Sequence, residues 1–310
     1  MPAQRRDDGQ ATRASTPRPA AAGVCAVVVT FRPEVETLAN LRAIRRQVDR
    51  LVVVDNAATP ASRALLAPLA DDPAVACVFN EENAGVAAAL NQGWRRADEG
   101  PEAWLATFDQ DSRVPDGYVA GLLAGLARYP EREHVAVVAP LYRDRNLGFV
   151  SSAAGPVTGA GEAAVSVAAT SGNLVARRAL ADAGGFREDF FIDCVDFEFC
   201  LRCRRRGWRI LEVRDVVLEH AQGRWERRRW LGRVVRVNDY DATRRYYQAR
   251  NRLVLHARFA AFDPRWCLRD AWGYGCDLAK LVLLGAGRRA KLAAILTGWA
   301  HAFAGRRGPR

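Results

Sequence analysis

Short apolar runs alternate with helix-period stretches along the first half of the chain. Val24–Thr30 (VCAVVVT) is rich in β-branched residues and stops at Phe31-Arg32-Pro33. A run that is apolar at nearly every position predicts a parallel strand buried on both faces. Val35, Leu38, Leu41 and Ile44 recur every third residue, which predicts a helix over 34–47. The same two signals then repeat. Strands are expected at Leu51–Val54, Val75–Phe79, Trp104–Phe108 and Val135–Ala139, and helices at 61–70, Val86–Ala97 and Gly117–Tyr129. Strand and helix alternating across short loops imply an α/β fold on an open, mainly parallel sheet, whose ligands sit beyond the carboxyl ends of the strands.

The second half is less regular. Residues 142–169 are rich in Gly, Ala and Ser and read as loops and short strands. A short helix is expected over Ala176–Ala183, before Gly184-Gly185-Phe186. A second is expected over Asp196–Arg206, acidic at its start and basic at its end, as the helix dipole favours. Short strands return over 208–219. From about 240 the pattern is helical to the end, and no internal repeat occurs. This divides the chain into a tail over 1–22 expected to be disordered, a catalytic α/β domain over 23–238, and a basic helical region over 239–310.

Composition narrows the class. With 310 residues, 49% hydrophobic and 26% charged, the chain can bury a sizeable core and is neither a rod nor a disulfide-stapled scaffold. The net charge of +11 is unevenly spread. Residues 201–310 hold 26 Lys and Arg against 9 Asp and Glu, a net +17, while residues 1–200 carry −6. Such asymmetry suggests a polyanionic neighbour for the second half. Seven cysteines and an N-terminal stretch without an apolar core imply reduced thiols and a cytoplasmic protein. Cys200 and Cys203 form a C-x-x-C with no second pair at zinc spacing, and read as ordinary helix residues. No apolar run approaches the roughly 18 residues a membrane span needs.

The informative positions are those that end the strands. Asp109-Gln110-Asp111 sets two carboxylates around one residue, a donor set suited to a hard cation such as Mg²⁺ or Mn²⁺, or simply a polar turn. Asp193, Asp196 and Glu198 lie among large apolar residues, where carboxyl pKa values rise and proton abstraction becomes feasible. Asp193 or Asp196 could equally cap the next helix. His220 closes a strand-like stretch and is a candidate third metal ligand or a surface histidine. No G-x-G-x-x-G follows the first strand, which removes most support for a nicotinamide or flavin.

Taken together, VVVTFRP, VVVDN, NEENAGVAAALNQG, FDQDS, TSGNLV, GGFREDFFIDCVDFEFCLR and YYQARN resemble glycosyltransferase family 2, most closely its bacterial rhamnosyltransferase-like branch. The likeness runs from Val24 to about Arg252, and Leu296-Thr297-Gly298 through Gly305 looks like that branch's ending. The resemblance implies a GT-A nucleotide-sugar-binding fold with a mainly parallel central sheet, plus C-terminal helices. It implies inverting, metal-dependent transfer, with L-rhamnose from dTDP-rhamnose as the expected donor sugar. A saccharide or lipid-linked acceptor in cell-envelope polysaccharide synthesis would follow. Thr30, Arg32, Asp55, Asn83 and Asp109 fall at donor-binding positions. Asp109 and Asp111 match the D-x-D metal motif, His220 the metal-coordinating histidine and Asp196 the catalytic base. Asp193 and Glu198 are candidate acceptor or supporting residues. Ala57-Ala58-Thr59 departs from the Gly-Ser that many members carry after Asp55-Asn56.

Galactofuranosyl or N-acetylglucosaminyl transfer on the same fold is the alternative within the class. A nucleotidyltransferase would need a Gly-rich basic loop near the first strand, and Val24–Glu36 has none. A basic nucleic-acid-binding protein would use the +17 half, but no helix-turn-helix or RNA-binding signature occurs, so no nucleic acid is expected. The acceptor-side loops are expected within 142–169 and 224–250. In the last helices, apolar residues including Trp266, Leu268, Trp272 and Leu283 lie among Arg265, Arg269, Arg288 and Arg289. That suits a peripheral site on the inner face of an anionic membrane, where each basic residue contributes about 1 kcal/mol, or a helical bundle in a homo-oligomer.

Overall fold

The computed structural model of the chain describes residues 23–144, 150–152, 157, 159–220, 225–230 and 232–310; the side chains of His220 and Trp225 lie outside the described residues. The expected tail over 1–22 lies outside them too.

Four parallel strands form one side of the central sheet: β1 (Val24–Thr30), β2 (Arg50–Asn56), β3 (Val75–Asn80) and β4 (Trp104–Asp109), in the order β3-β2-β1-β4. Val27, Val28, Val52, Val53 and Ala106 are fully buried, which is why these strands read as apolar at every position. Between them run α1 (Val35–Arg45), α2 (Pro60–Leu66) and α3 (Val86–Ala97). A capping box between Thr59 and Ser62 starts α2, with Pro60 at its first position. The four strands end together, so Thr30, Asn56, Asn80 and Asp109 share one edge of the sheet.

Beyond β4 the sheet changes direction. After α4 (Tyr118–Arg128) and β5 (Val135–Asp144), a four-residue strand, β8 (Asn173–Ala176), inserts antiparallel between β4 and β5. The edge strands β6 (Val150–Ser151) and β7 (Glu162–Val165) precede it, and α5 (Arg177–Ala183) follows. The sequence pattern had suggested neither β8 nor any antiparallel strand at the sheet centre. Helix α6 (Val195–Arg205) leads into β9 (Arg209–His220), which is one long strand parallel to β5 and not the short pieces expected. An antiparallel hairpin, β10 (Trp225–Trp230) and β11 (Arg233–Asn238), precedes α7 (Ala242–Phe259), α8 (Pro264–Leu284) and α9 (Arg288–Phe303).

The C-terminal helices are joined to the sheet domain by a shared interior. Leu255 and Phe259 of α7 and Trp266 and Cys267 of α8 belong to the main apolar core. A smaller cluster, Ala249, Leu281 and Ile295, ties the three helices together. At Gly298 of α9 a Cβ would come within 2.5 Å of the Tyr246 carbonyl, so only glycine lets α9 lie this close on α7. Among the described residues no helix is long and apolar enough to cross a membrane.

Candidate functional site

The site forms along the carboxyl edge of β1–β4. Thr30 and Asp55 are fully buried, and the Thr30 hydroxyl donates to Asp55 Oδ1 at 3.0 Å while Ser62 donates to Oδ2 at 2.6 Å. These two expected donor contacts therefore brace the ends of β1 and β2 against each other and against α2. Next to them Asn56 accepts from Asn80 and from the Ala84 amide, and donates to Asn83 at 2.9 Å. Asn83 in turn accepts from the Gly85 amide. This asparagine lattice holds the Asn83-Ala84-Gly85 loop, leaving Asn83 exposed at the site. Arg32 is exposed, with its guanidinium 5.2 Å from the Phe31 ring centre.

Asp109 and Asp111 flank a tight turn closed by the Ser112 amide donating to the Asp109 carbonyl. Gln110 between them explains why the turn is rigid. Its side-chain amide accepts from the Phe31 amide at 2.8 Å and donates to the Phe31 carbonyl at 3.2 Å, and its own carbonyl accepts from Asn40. Ser171 Oγ accepts a further bond from the Asp109 amide and shares a 2.7 Å contact with Ser112. The TSGNLV segment, residues 170–175, is thus the support behind the paired carboxylates. Two residues past Asp111, the Arg113 amide donates to the Glu219 carbonyl at 3.3 Å, which brings the end of β9, and with it the backbone of His220, beside this turn.

The second carboxylate cluster sits on a strained segment. Phe191, Asp193 and Cys194 all have left-handed backbones, with φ of 65°, 63° and 62°. Such torsions persist only where the surroundings enforce them, and they concentrate at functional sites. Here the enforcing group is α7. Asn251, fully buried, donates from Nδ2 to the carbonyls of Phe190, Ile192 and Asp193 at 2.8–3.0 Å. Arg250 donates to the carbonyls of Asp189 and Phe190, and the Phe191 ring stacks on Tyr247 at 4.9 Å. The Val86 amide donates to the Phe191 carbonyl, and a Cβ on Gly85 would lie 2.6 Å from the Phe191 ring. The Asn83-Ala84-Gly85 loop and the strained turn are therefore in direct contact. Asn251 was not singled out from the sequence, although YYQARN was; nothing local to an α-helix signals that a side chain will bind a distant turn.

The three acidic residues on this segment differ. Asp193 is held by Arg244 in a two-oxygen ion pair, and Arg244 also stacks 4.3 Å from the Tyr240 ring. Glu198 is fully buried and gripped by Arg202 Nε at 3.0–3.1 Å, while Arg202 also holds the carbonyls of Ala183 and Gly185. Glu198 braces the Gly184-Gly185 turn; it has no exposed surface for an acceptor. Asp196, half-buried in the first turn of α6, has no cationic partner among the described residues. The surrounding protein strips water from its carboxyl, and Asp193 and Asp109 add negative charge, so its pKa rises from 3.8 to about 6 against the opposing Phe197 amide. Neither aspartate caps α6. The cap position is Cys194, with no side-chain bond, which corrects the capping expectation for Asp193 and Asp196. Cys200 and Cys203 are free, buried thiols.

Asp109 raises the Asp196 pKa and helps hold the charge on Arg244, so the D-Q-D turn and the strained segment act as one electrostatic unit. The donor set fits a divalent cation: two hard oxygen ligands at one strand end, within an acidic neighbourhood that an added positive charge relieves. Among the described residues no three His, Cys, Asp or Glu converge as a closed metal cage. An open two-carboxylate site is what Mg²⁺ or Mn²⁺ uses when a diphosphate completes its shell.

Residues 25–152 match the family described as Glycosyl transferase family 2. The dTDP-rhamnosyl transferase RfbF of Shigella flexneri is 29% identical over 244 residues, covering 75% of this chain and 79% of that protein. Residues 25–152 thus form a glycosyltransferase family 2 domain. The glycosyltransferase also shares its fold with GalNAc-T7, solved with UDP, GalNAc and Mn²⁺, at a TM-score of 0.57, 14% identity, and coverage of 75% of this chain and 48% of that one. The mannosyltransferase PcManGT of Pyrobaculum calidifontis, in complex with GDP-Man and Mn²⁺, gives a TM-score of 0.55 at 20% identity, covering 93% of this chain and 77% of that one. The glycosyltransferase spans about half the length of the former. At these identities the structural likenesses speak for the GT-A architecture alone.

Proposed function

We propose that the chain is an inverting rhamnosyltransferase that moves L-rhamnose from dTDP-rhamnose to a saccharide or lipid-linked acceptor of cell-envelope polysaccharide. The observation that carries the chemistry is Asp196: a half-buried carboxylate of raised pKa, without a cationic partner among the described residues, that feels the charge of Asp109. The rhamnose specificity is supported by the Shigella relative.

The donor's nucleotide lies along Thr30, Arg32, Asp55 and Asn83, with Asp55 acting through the braced β1 and β2 ends. Asp109 and Asp111, with His220 adjoining, would hold Mg²⁺ or Mn²⁺, as the structural neighbours' Mn²⁺ suggests. When bound, the ion would supply charge neutralisation to the departing diphosphate. Asp196 accepts the proton of the acceptor hydroxyl at a carboxylate oxygen as that hydroxyl oxygen bonds to the anomeric carbon. The bond from that carbon to the diphosphate oxygen breaks in the same displacement, through an oxocarbenium-like state, and the proton later passes to water. Arg244 pairs with Asp193 and fixes its position close to Asp196.

A panel of dTDP-rhamnose, UDP-galactofuranose and UDP-N-acetylglucosamine, each with Mg²⁺ and Mn²⁺, tests the reading by calorimetry and by donor hydrolysis. Selective binding and turnover of dTDP-rhamnose are expected. Preference for either UDP-sugar replaces the donor assignment and leaves the acid–base assignment standing.

A further inference from the structure

We propose that the outer face of α8 is an interfacial surface that lies on an anionic lipid bilayer. Leu268 and Trp272 are 73% and 77% exposed, and Leu283 is 55% exposed. With Ala279, also exposed, they recur at spacings of four, seven and four residues along one side of the helix. The opposite side carries Trp266, Cys267 and Leu281, which are buried in the shared core. Helix α8 is therefore amphipathic in an inverted sense: apolar where it meets its own domain and apolar again where it meets the outside.

Charge identifies the occupant. Residues 242–310 contain 14 Lys and Arg and three Asp, with no Glu. All three aspartates are turned to the inner packing, where Asp263 pairs with Arg204, Asp270 with Arg252 and His256, and Asp277 with Arg245. Arg265, Arg269, Arg288 and Arg289 are exposed and have no ion-pair partner among the described residues. An apolar stripe edged by cations, without acids, matches acyl chains beneath anionic headgroups, with Trp272 suited to the boundary between them. A second copy of the same face would bring cations against cations with no acid to neutralise them. Nucleic acid would meet the cations but leave the apolar stripe uncovered. The helix lies in the plane of the surface, since it is not apolar enough to span. The proposal is independent of the donor sugar.

Flotation of the purified full chain with phosphatidylcholine vesicles, with and without phosphatidylglycerol, is the test. The chain should float with the phosphatidylglycerol vesicles at low salt and stay behind with pure phosphatidylcholine, and high salt should weaken the binding. Trp272→Glu and Leu268→Glu should each weaken partition by at least about tenfold. Arg265→Glu with Arg269→Glu should abolish the preference for phosphatidylglycerol. Circular dichroism and thermal melts check that these exposed substitutions leave the fold intact. Failure of the wild-type chain to float with phosphatidylglycerol vesicles at low salt overturns the proposal, as does equal flotation of folded Trp272→Glu. A wild-type dimer that Trp272→Glu converts to a monomer, without vesicle binding, assigns the face to a second copy instead.

Discussion

Arg244 donates to both carboxylate oxygens of Asp193 across 51 residues of sequence, while Asp196, three residues further on, has no such partner among the described residues. The pair divides two similar aspartates into one tied to a cation and one without such a tie. Asp196→Asn keeps the shape of the side chain and cannot take a proton. It should bind donor with near-wild-type affinity in calorimetry, while transfer falls by about 10²–10⁴-fold. A folded Asp196→Asn protein that transfers at the wild-type rate would move the base to another group.

The pH dependence follows from the same residue. As base it must be ionised, so turnover should rise through an acidic limb near pH 6 and level off above it. Stability runs the other way. A carboxyl whose pKa is higher folded than unfolded binds its proton more tightly when folded. The folded state therefore loses stability as pH rises from about 4 to about 6, and carries the full cost above that. Asp196→Asn removes the cost and should stabilise the protein by on the order of 1–3 kcal/mol at pH 8, with little gain at pH 4, in urea titrations.

Asp111→Ala should abolish turnover, and excess chelator should do the same to the wild type, with recovery on adding Mg²⁺ or Mn²⁺. Melting temperature should change little, because Asp111 lies at the surface end of the turn while Gln110 and Ser171 hold its backbone. Undiminished transfer in excess chelator would remove the metal from the reaction.

Asn251→Leu tests the hold on the strained turn. The substitution leaves three backbone carbonyls without their shared donor, a loss of about 1–3 kcal/mol in stability. Turnover should fall at least tenfold at a temperature where the variant is folded, with donor affinity nearly unchanged, since in the proposed mechanism the turn carries the base and not the nucleotide contacts. Equal losses in donor affinity and turnover would mean that Asn251 supports the whole domain rather than this turn.

Ala57 has φ 94°, a torsion that favours glycine, in the loop where the sequence lacks the usual glycine. Ala57→Gly should stabilise the protein by about 1 kcal/mol, relief of the left-handed torsion being partly offset by glycine's greater freedom when unfolded. Denaturant midpoints would register the change; a lower midpoint would show that the Ala57 methyl contributes packing that outweighs the strain.

How much of this was legible in the sequence depended on whether the signal was local. The strands β1 to β4 and helix α3 were readable because each buries a continuous or periodic apolar set, and Val24–Thr30 and Val86–Ala97 are found as expected. β8 escaped notice because four residues are too few to show a period and they run straight into α5. The β10–β11 hairpin was hidden by its arginines: Arg227, Arg228, Arg229 and Arg236 break any apolar alternation. The paired aspartates were visible from their place after a strand. That Glu198 is a brace and Asp193 an ion-pair partner was not, because Arg202 lies within the same helix but Arg244 comes from a distant one.

The grip of α7 on residues 189–194 has a consequence for how such enzymes diversify. The segment matched by the family, 25–152, ends before the turn next to the proposed base, and the Asn251 that shapes the turn lies about 60 positions further along. A chimaera that keeps the nucleotide-handling strands and imports a relative's acceptor side must therefore carry the turn and α7 as one inheritance. A crossover placed between them would leave a foreign helix trying to enforce torsions it was not shaped for, and the hybrid would recognise its nucleotide and transfer nothing.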